Sequence, residues 1–184
     1  GVSCEGIDFA QYNEMSLIIT LDCGIKAHDK VLYARERGID MIITDHHTPD
    51  DTIPPAVAVL NPKRTDCSYP YKELCGCGIG FKLIQALCKS LGYPLETAYA
   101  YLDLVALATC ADIVPITGEN RILVSAGLKQ INERPSEVMQ LLLSTANPPI
   151  QVRDLVFVAA PRINAAGRMN HASRAVDFLI GESM

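Results

Sequence analysis

The stretch at residues 17–47, LIITLDCGIKAHDKVLYARERGIDMIITDHH, decides the fold of this 184-residue chain. It begins with a continuous aliphatic run at residues 17–21, which is typical of a fully buried strand. A helical pattern follows and stops at Gly38, and a second aliphatic run begins at Ile39. Strand, helix and strand within about 30 residues make a βαβ unit. The two strands are therefore expected to be parallel.

Beyond this unit the sequence predicts one more strand and then a series of helices. Residues 56–62, AVAVLNP, follow a Pro-Pro turn and are expected to add a third strand. Residues 95–115 predict a long helix that is apolar nearly all round and hence buried. The predicted fold class is α/β. A parallel sheet with a Rossmann-like βαβ start is followed by an α-helical half, all in one compact unit.

Composition excludes several classes of protein. Hydrophobic residues make up 49% and charged residues 20%, as in an ordinary globular protein. The seven cysteines are odd in number and scattered, which indicates reduced thiols and a cytoplasmic location. Cys75 and Cys77 have C-x-C spacing with no second pair, which does not match a zinc site. The net charge of -5 argues against broad nonspecific binding of nucleic acid but permits a local basic groove.

Polar residues follow both strands of the βαβ unit. Asp22 comes directly after the first strand, and Asp45, His46 and His47 come directly after the second. The carboxyl ends of parallel strands meet at one edge of a sheet, so these side chains are expected to converge. Carboxylates with imidazoles form a mixed oxygen and nitrogen site for a divalent ion such as Mn²⁺ or Mg²⁺. The alternative for Asp22 alone is that it only caps the next helix.

The long predicted helix carries two acids, Asp103 and Asp112. They are nine residues apart, so at about 100° per residue they face opposite sides and at most one faces a given site. Asp112 lies near the helix C-terminus, where the macrodipole disfavours an anion and a bound cation would compensate it. We therefore predict that Asp112 is a metal ligand. Asp103 is expected to be solvated or paired with a base.

Two further stretches are weaker candidates for contacts with phosphate. PRINAAGRMN, at residues 161–170, carries Arg162, Asn164 and Arg168, which could hold substrate phosphates or could simply form a polar turn between two helices. GCGIGF, at residues 76–81, begins a helix but does not follow a strand, unlike a P-loop or a dinucleotide fingerprint. Close packing of the backbone is the expected role of these glycines.

The motifs LDCGI, TDHH, GCGIGFKL, LDLVALATCADIVP and PRINAAGRM occur in this order along the chain. Together they resemble the DHH phosphoesterase family, and within it the branch of single-stranded-DNA-specific 5′→3′ exonucleases. The resemblance runs from about residue 17 to residue 181. Asp-His-His alone would be a weak signal, whereas PRINAAGR and the LDLVALATCADIVP helix are specific to this branch.

The resemblance implies a role for each residue at the predicted sheet edge. Asp22 matches a metal-bridging aspartate, and His46 and Asp112 match metal ligands. His47 matches a histidine that supports the site or the phosphate. Asp45 would orient the two histidines from behind them. The implied cofactor is a pair of Mn²⁺ or Mg²⁺ ions, and the implied reaction is metal-dependent hydrolysis without a cysteine nucleophile.

The implied function is hydrolysis of single-stranded DNA to 5′-mononucleotides in DNA repair and recombination. The implied partners are single-stranded DNA, a single-strand-binding protein and a recombination helicase. The chain departs from the family because no Asp-x-Asp motif precedes Asp22. We therefore expect residues 1–184 to be a partial DHH domain, without the Asp-x-Asp segment or the C-terminal DHHA1 and OB domains, and to be inactive or nearly so alone.

Two alternatives remain open on the sequence. One is a DHH phosphoesterase of short oligonucleotides or cyclic dinucleotides, although those enzymes usually carry a Thr-Asp-Thr-Gly type motif where this chain has CADIVP. The other is a binding domain that kept the fold without catalysis.

Overall fold

The computed structural model describes residues 1–169 and 173–180. The chain divides into two compact units, residues 1–87 and residues 88–184, rather than the single unit that was predicted. The physical reason is that separate sets of buried apolar side chains build separate hydrophobic cores in the two halves. The predicted α/β class is confirmed, with a parallel three-stranded sheet followed by helices.

The first unit is built around the sheet. Its strand order is β1-β2-β3, and both pairings are parallel, as the βαβ pattern predicted. The third strand is shorter than the predicted residues 56–62. The elements are α1 (Cys4–Tyr12), β1 (Leu17–Leu21), α2 (His28–Glu36), β2 (Asp40–Thr44), β3 (Ala58–Leu60) and α3 (Gly76–Leu91), which begins in this unit.

One face of the sheet carries the core of the first unit. Met41 and Ile43 of β2 are buried there, against apolar residues of α1 and α2. The other face of β1 is different, because Leu17, Ile19 and Leu21 are 41–53% exposed. The prediction that β1 is buried on both faces is therefore wrong. β1 lies at the edge of the described sheet, and its burial alternates as in a strand covered on one side.

The second unit is helical. The predicted helix at residues 95–115 is interrupted, and the backbone carbonyl of Ala100 at the break accepts a hydrogen bond from Gln130 Nε2 at 3.0 Å. The elements are α4 (Glu96–Tyr99), α5 (Leu102–Ala111), α6 (Gly118–Glu133), α7 (Glu137–Leu142), α8 (Val152–Asp154), a π-helical turn (Leu155–Ala159), α9 (Ala160–Met169) and α10 (Ser173–Ile180). Among the residues described, no helix has the length and apolar character needed to cross a membrane.

Helices α5 and α6 form the centre of the second unit. α5 is largely buried, as predicted, with Val105 and Ala106 at 1% and 0% exposure. Gly127 of α6 allows the close crossing, because a Cβ atom there would lie 2.2 Å from the carbonyl oxygen of Leu102. A backbone oxygen cannot turn aside as a side chain can, so only glycine fits at this position.

Candidate metal centre

The end of β1 places Asp22 at the carboxyl edge of the sheet. The N–H of Asp22 donates to the carbonyl of Thr44 at 3.0 Å, which continues the parallel ladder one residue past β1. Asp22 itself has a φ of 64°, in the left-handed region that aspartate tolerates better than most residues. The hydroxyl of Thr20 donates to the carbonyl of Cys23 at 2.7 Å and holds the turn that follows. These contacts fix the backbone of Asp22 and therefore the position of its Cβ atom, from which the carboxylate extends.

The end of β2 brings two histidines to this carboxylate. His46 Nε2 lies 3.1 Å from Asp22 Oδ1, with the His46 side chain 9% exposed and the Asp22 side chain 54% exposed. The rings of His46 and His47 meet edge to face, with their centroids 4.5 Å apart. One ligand atom from each of Asp22, His46 and His47 lies within 4.8 Å of the others. Within the described part of the chain, this is the group of three that could hold a metal ion.

Asp45 lies behind the histidines, and its carboxylate is the centre of a hydrogen-bond network. It is 1% exposed. Its Oδ2 accepts from the N–H of Ile25 at 2.9 Å, and its Oδ1 accepts from the N–H groups of His46 and His47 at 2.8 and 3.2 Å. Oδ1 also lies 2.7 Å from His47 Nδ1. Burial by itself raises the pKa of Asp45, but these hydrogen bonds outweigh it and leave the pKa below its ordinary value.

An ionised Asp45 decides how His47 presents its ring. A carboxylate only accepts, so His47 Nδ1 carries the proton that it donates to Asp45. In the neutral imidazole, the other nitrogen, Nε2, then has a lone pair for an ion or a hydrogen-bond donor. Histidine ligands in metal sites are commonly held in this way. These contacts support the prediction that Asp45 orients the histidines.

The third strand also contributes to the site, through a residue that the sequence analysis missed. Asn61 directly follows β3 and is 3% exposed. Its Nδ2 donates to the carbonyl of His47 at 2.8 Å, and its Oδ1 accepts from the N–H of Lys63 at 2.8 Å. The sequence pattern that could have identified Asn61 is the one that identified Asp22, because in both places a polar residue directly follows an aliphatic run. Asn61 therefore anchors the loop that carries His47.

The donor set fits a divalent ion. A carboxylate and two imidazoles suit Mn²⁺, whereas Mg²⁺ prefers a shell made entirely of oxygens. Burial raises the pKa of the nearby Cys23 thiol, and burial together with Cys75 and Asp22 raises the pKa of Cys77 to about 12. Both thiols stay protonated near neutral pH. This supports the prediction that no cysteine acts as the nucleophile.

The two acids of the interrupted helix lie in the second unit. Asp112 is the C-terminal cap residue of α5, which confirms its predicted position near a helix C-terminus, and it is exposed. Its role as a metal ligand stays a prediction. Asp103 is 2% exposed and accepts a hydrogen bond from Ser136 Oγ at 2.8 Å. The prediction that Asp103 is solvated or paired with a base is wrong, because a hydroxyl donor satisfies the buried carboxylate.

Residues 161–169 of the PRINAAGRMN stretch are helical and do not form a polar turn. They belong to α9, which directly continues the π-helical turn, so Pro161, which has no backbone N–H, comes two residues after the end of that turn. Asn164 is exposed, and its contact with phosphate stays a prediction. The Arg168 side chain and Asn170 lie outside the described residues.

The Arg162 guanidinium donates hydrogen bonds to residues at and just after the C-terminal end of α7. Its Nη1 donates to the carbonyls of Leu141 and Leu142, at 3.0 and 2.7 Å, and to Ser144 Oγ at 3.1 Å. Its Nη2 donates to Thr145 Oγ1 at 2.9 Å. These acceptors include carbonyls at the C-terminal end of α7, which a cation stabilises. The contact with substrate phosphate that was predicted for Arg162 stays a prediction, and it would use N–H groups of the guanidinium other than those in these hydrogen bonds.

Replacing Arg162 with alanine is expected to lower the free energy of unfolding by about 1–3 kcal/mol, because several acceptors lose a charged donor. Urea unfolding followed by circular dichroism measures the loss. Arg153→Ala is the control, because the Arg153 side chain is 72% exposed and lies 3.9 Å from Asp154. Equal stability of the two variants would show that the Arg162 contacts do not stabilise the unit.

A family model described as "DHH family, N-terminal domain" matches residues 4–109, which is more than half of the chain. The chain is 41% identical over 199 residues to the single-stranded-DNA-specific exonuclease RecJ of Escherichia coli K12, covering 100% of this chain and 34% of that protein. It is 40% identical over 197 residues to the RecJ of Salmonella typhimurium, with the same shares covered. The chain spans about a third of the length of these relatives.

Solved structures agree with these similarities. An exonuclease RecJ bound to manganese is 36% identical with a TM-score of 0.84, covering 96% of this chain and 44% of that one. RecJ from Thermus thermophilus in complex with Mg²⁺ is 32% identical with a TM-score of 0.67, covering 89% of this chain and 22% of that one. The backbone of this chain is therefore similar to those of proteins solved with Mn²⁺ or Mg²⁺, the two ions that the sequence motifs suggested.

Proposed function

We propose that this chain, which belongs to the DHH family, is part of the catalytic domain of a single-stranded-DNA-specific exonuclease. The proposed reaction is metal-dependent hydrolysis of phosphodiester bonds in the 5′→3′ direction, with release of 5′-mononucleotides. Similarity to exonucleases of this specificity over the whole chain supports the choice of substrate. The observation that carries the proposal is the group of Asp22, His46 and His47 at the carboxyl edge of the sheet.

In the proposed reaction, Asp22, His46 and His47 hold a divalent ion, with Mn²⁺ favoured by their nitrogen donors. Such an ion, when bound, lowers the pKa of water and offsets the charge that develops on the phosphate. The protein's part is to keep the three ligands in place. Asp45 fixes the tautomer of His47, and Asn61 holds the His47 backbone. Three side chains suffice for one ion, so a second ion would need ligands outside this group.

We further propose that the whole protein works in DNA repair and recombination in the cytoplasm. Its partners would be single-stranded DNA, a single-strand-binding protein and a recombination helicase. All seven cysteines are free thiols, which supports a reducing compartment. Basic side chains that hold the phosphates of a single strand, with aromatic rings that stack on its bases, would select single strands.

The test is a product analysis with the full-length protein. A long 5′-phosphorylated single strand, the same sequence as a duplex, and oligonucleotides of two to five residues are incubated with Mn²⁺ or with a chelator. We expect mononucleotides from the long single strand with Mn²⁺, little product from the duplex and none with the chelator. His46→Ala is expected to remove the activity.

Two other outcomes would contradict the proposal. Degradation restricted to the shortest substrates, or to cyclic dinucleotides, would indicate a phosphoesterase of small nucleotides. Binding of DNA and Mn²⁺ without any hydrolysis would indicate a non-catalytic binding domain.

A further inference from the structure

Gly76 lies directly against the side chain of Asp22. It is the first residue of α3. A Cβ atom built on Gly76 would lie 2.4 Å from both the Cβ and the Oδ1 of Asp22, and 2.5 Å from its Cγ. Carbon atoms that are not bonded do not approach so closely. Any side chain at Gly76 would therefore force either the start of α3 or Asp22 to move.

Asp22 cannot make room by changing its rotamer. Its Cβ is one of the clashing atoms, and the position of a Cβ is set by the backbone rather than by χ1. The backbone is held by the Asp22 N–H, which donates to the carbonyl of Thr44, and by the Thr20 hydroxyl, which donates to Cys23. The φ of 64° leaves aspartate little freedom to relax.

We infer that Gly76 is a positioning residue for Asp22, and that its lack of a side chain fixes where the carboxylate meets His46. The inference rests on the proposed metal site. The position matters because Asp22 Oδ1 lies 3.1 Å from His46 Nε2, within the group that would share an ion. Moving the carboxylate would spread the ligand atoms apart. Close packing was the role predicted for the GCGIGF glycines, and for Gly76 the residue packed against it is Asp22.

The matched glycines of the same stretch provide the controls. A Cβ on Gly78 would lie 3.4 Å from Leu74 Cδ2, which is an ordinary contact. A Cβ on Gly80 would lie 2.3 Å from Leu21 Cδ2, the far end of a flexible side chain that can rotate away. Alanine at either position therefore changes the same helix without pressing on Asp22.

The first readout is the affinity for Mn²⁺, measured by titration calorimetry on the three alanine variants. We expect Gly76→Ala to weaken Mn²⁺ binding by about 10-fold or more, as disturbing a residue that supports a ligand usually does. Gly78→Ala and Gly80→Ala are expected to bind like the unmodified chain. Equal affinity in all three variants would overturn the inference.

The second readout is thermal melting, which applies even if Gly76→Ala folds poorly. Asp22→Gly removes the clashing side chain and suits the left-handed backbone. Gly76→Ala is therefore expected to lower the melting temperature of the unmodified chain but to have little effect in the Asp22→Gly background. A similar drop in both backgrounds would show that Gly76 does not act through Asp22.

The two measurements separate failure of the inference from failure of the proposed metal site. If the unmodified chain binds no Mn²⁺, the proposed site fails, while the melting experiment still decides whether Gly76 fixes Asp22. If the unmodified chain binds Mn²⁺ and Gly76→Ala binds it equally well, the site stands and the inference fails.

Discussion

Replacing Asp22 with asparagine is expected to weaken Mn²⁺ binding by about 100-fold or more, because the group loses its only anionic ligand. The fold should survive, since asparagine has nearly the same shape and adopts the left-handed conformation at least as readily as aspartate. In the full-length protein, hydrolysis should fall with the metal affinity. Titration calorimetry with Mn²⁺ and thermal melting measure the two effects separately.

Asp50→Asn is the control for this variant. Asp50 is an exposed acid that pairs with Lys26 at 2.7 Å and is not one of the three residues of the ligand group. Asp50→Asn changes the net charge by the same amount as Asp22→Asn and should leave the Mn²⁺ affinity unchanged. If the two variants lose affinity equally, the attraction depends on overall charge and Asp22 is not a ligand.

Replacing Asp45 with asparagine is expected to lower the free energy of unfolding by about 2–4 kcal/mol. Four donors surround the carboxylate, from Ile25, the two histidine N–H groups and the His47 ring. An amide has one accepting oxygen, and its NH₂ would meet at least one of these donors. Urea unfolding at neutral pH gives the loss, with Asp66→Asn as the control at a carboxylate that is 64% exposed.

The same variant makes a prediction about pH. Because the pKa of Asp45 is lowered in the folded state, its contribution is present above the unfolded pKa, about 4. The contribution is lost as the pH falls through the lower folded value. The stability difference between the unmodified chain and Asp45→Asn should therefore shrink below about pH 4. A difference that stays constant from neutral pH down to about pH 2 would mean that folding does not lower the pKa of Asp45.

The sequence predicted the sheet and its edge because those depend on local patterns. Two aliphatic runs around one helix fix a parallel pair, and parallel pairing by itself brings Asp22 to His46. These features need no knowledge of the rest of the chain. The orienting role of Asp45 was implied by the family resemblance rather than by the local pattern.

Other features depend on tertiary contacts and could not be predicted. The contacts that Arg162 makes could not be predicted, because a guanidinium suits phosphate and carbonyl oxygens equally and only the fold shows that α7 supplies carbonyls. Asp103 looked solvated because its donor, Ser136, is 33 residues away in the chain. Gly76 could be assigned to close packing, but its partner Asp22 is 54 residues earlier. A single sequence carries no record of such distant pairs.

The measurement that tests the proposed metal centre most directly is a Mn²⁺ titration of the unmodified chain, followed by pulsed electron paramagnetic resonance. We predict saturable binding of one ion, with coupling to two imidazole nitrogens that disappears stepwise in His46→Ala and His47→Ala. Binding without nitrogen coupling, or nitrogen coupling unchanged in both variants, would contradict the assignment of these histidines as ligands.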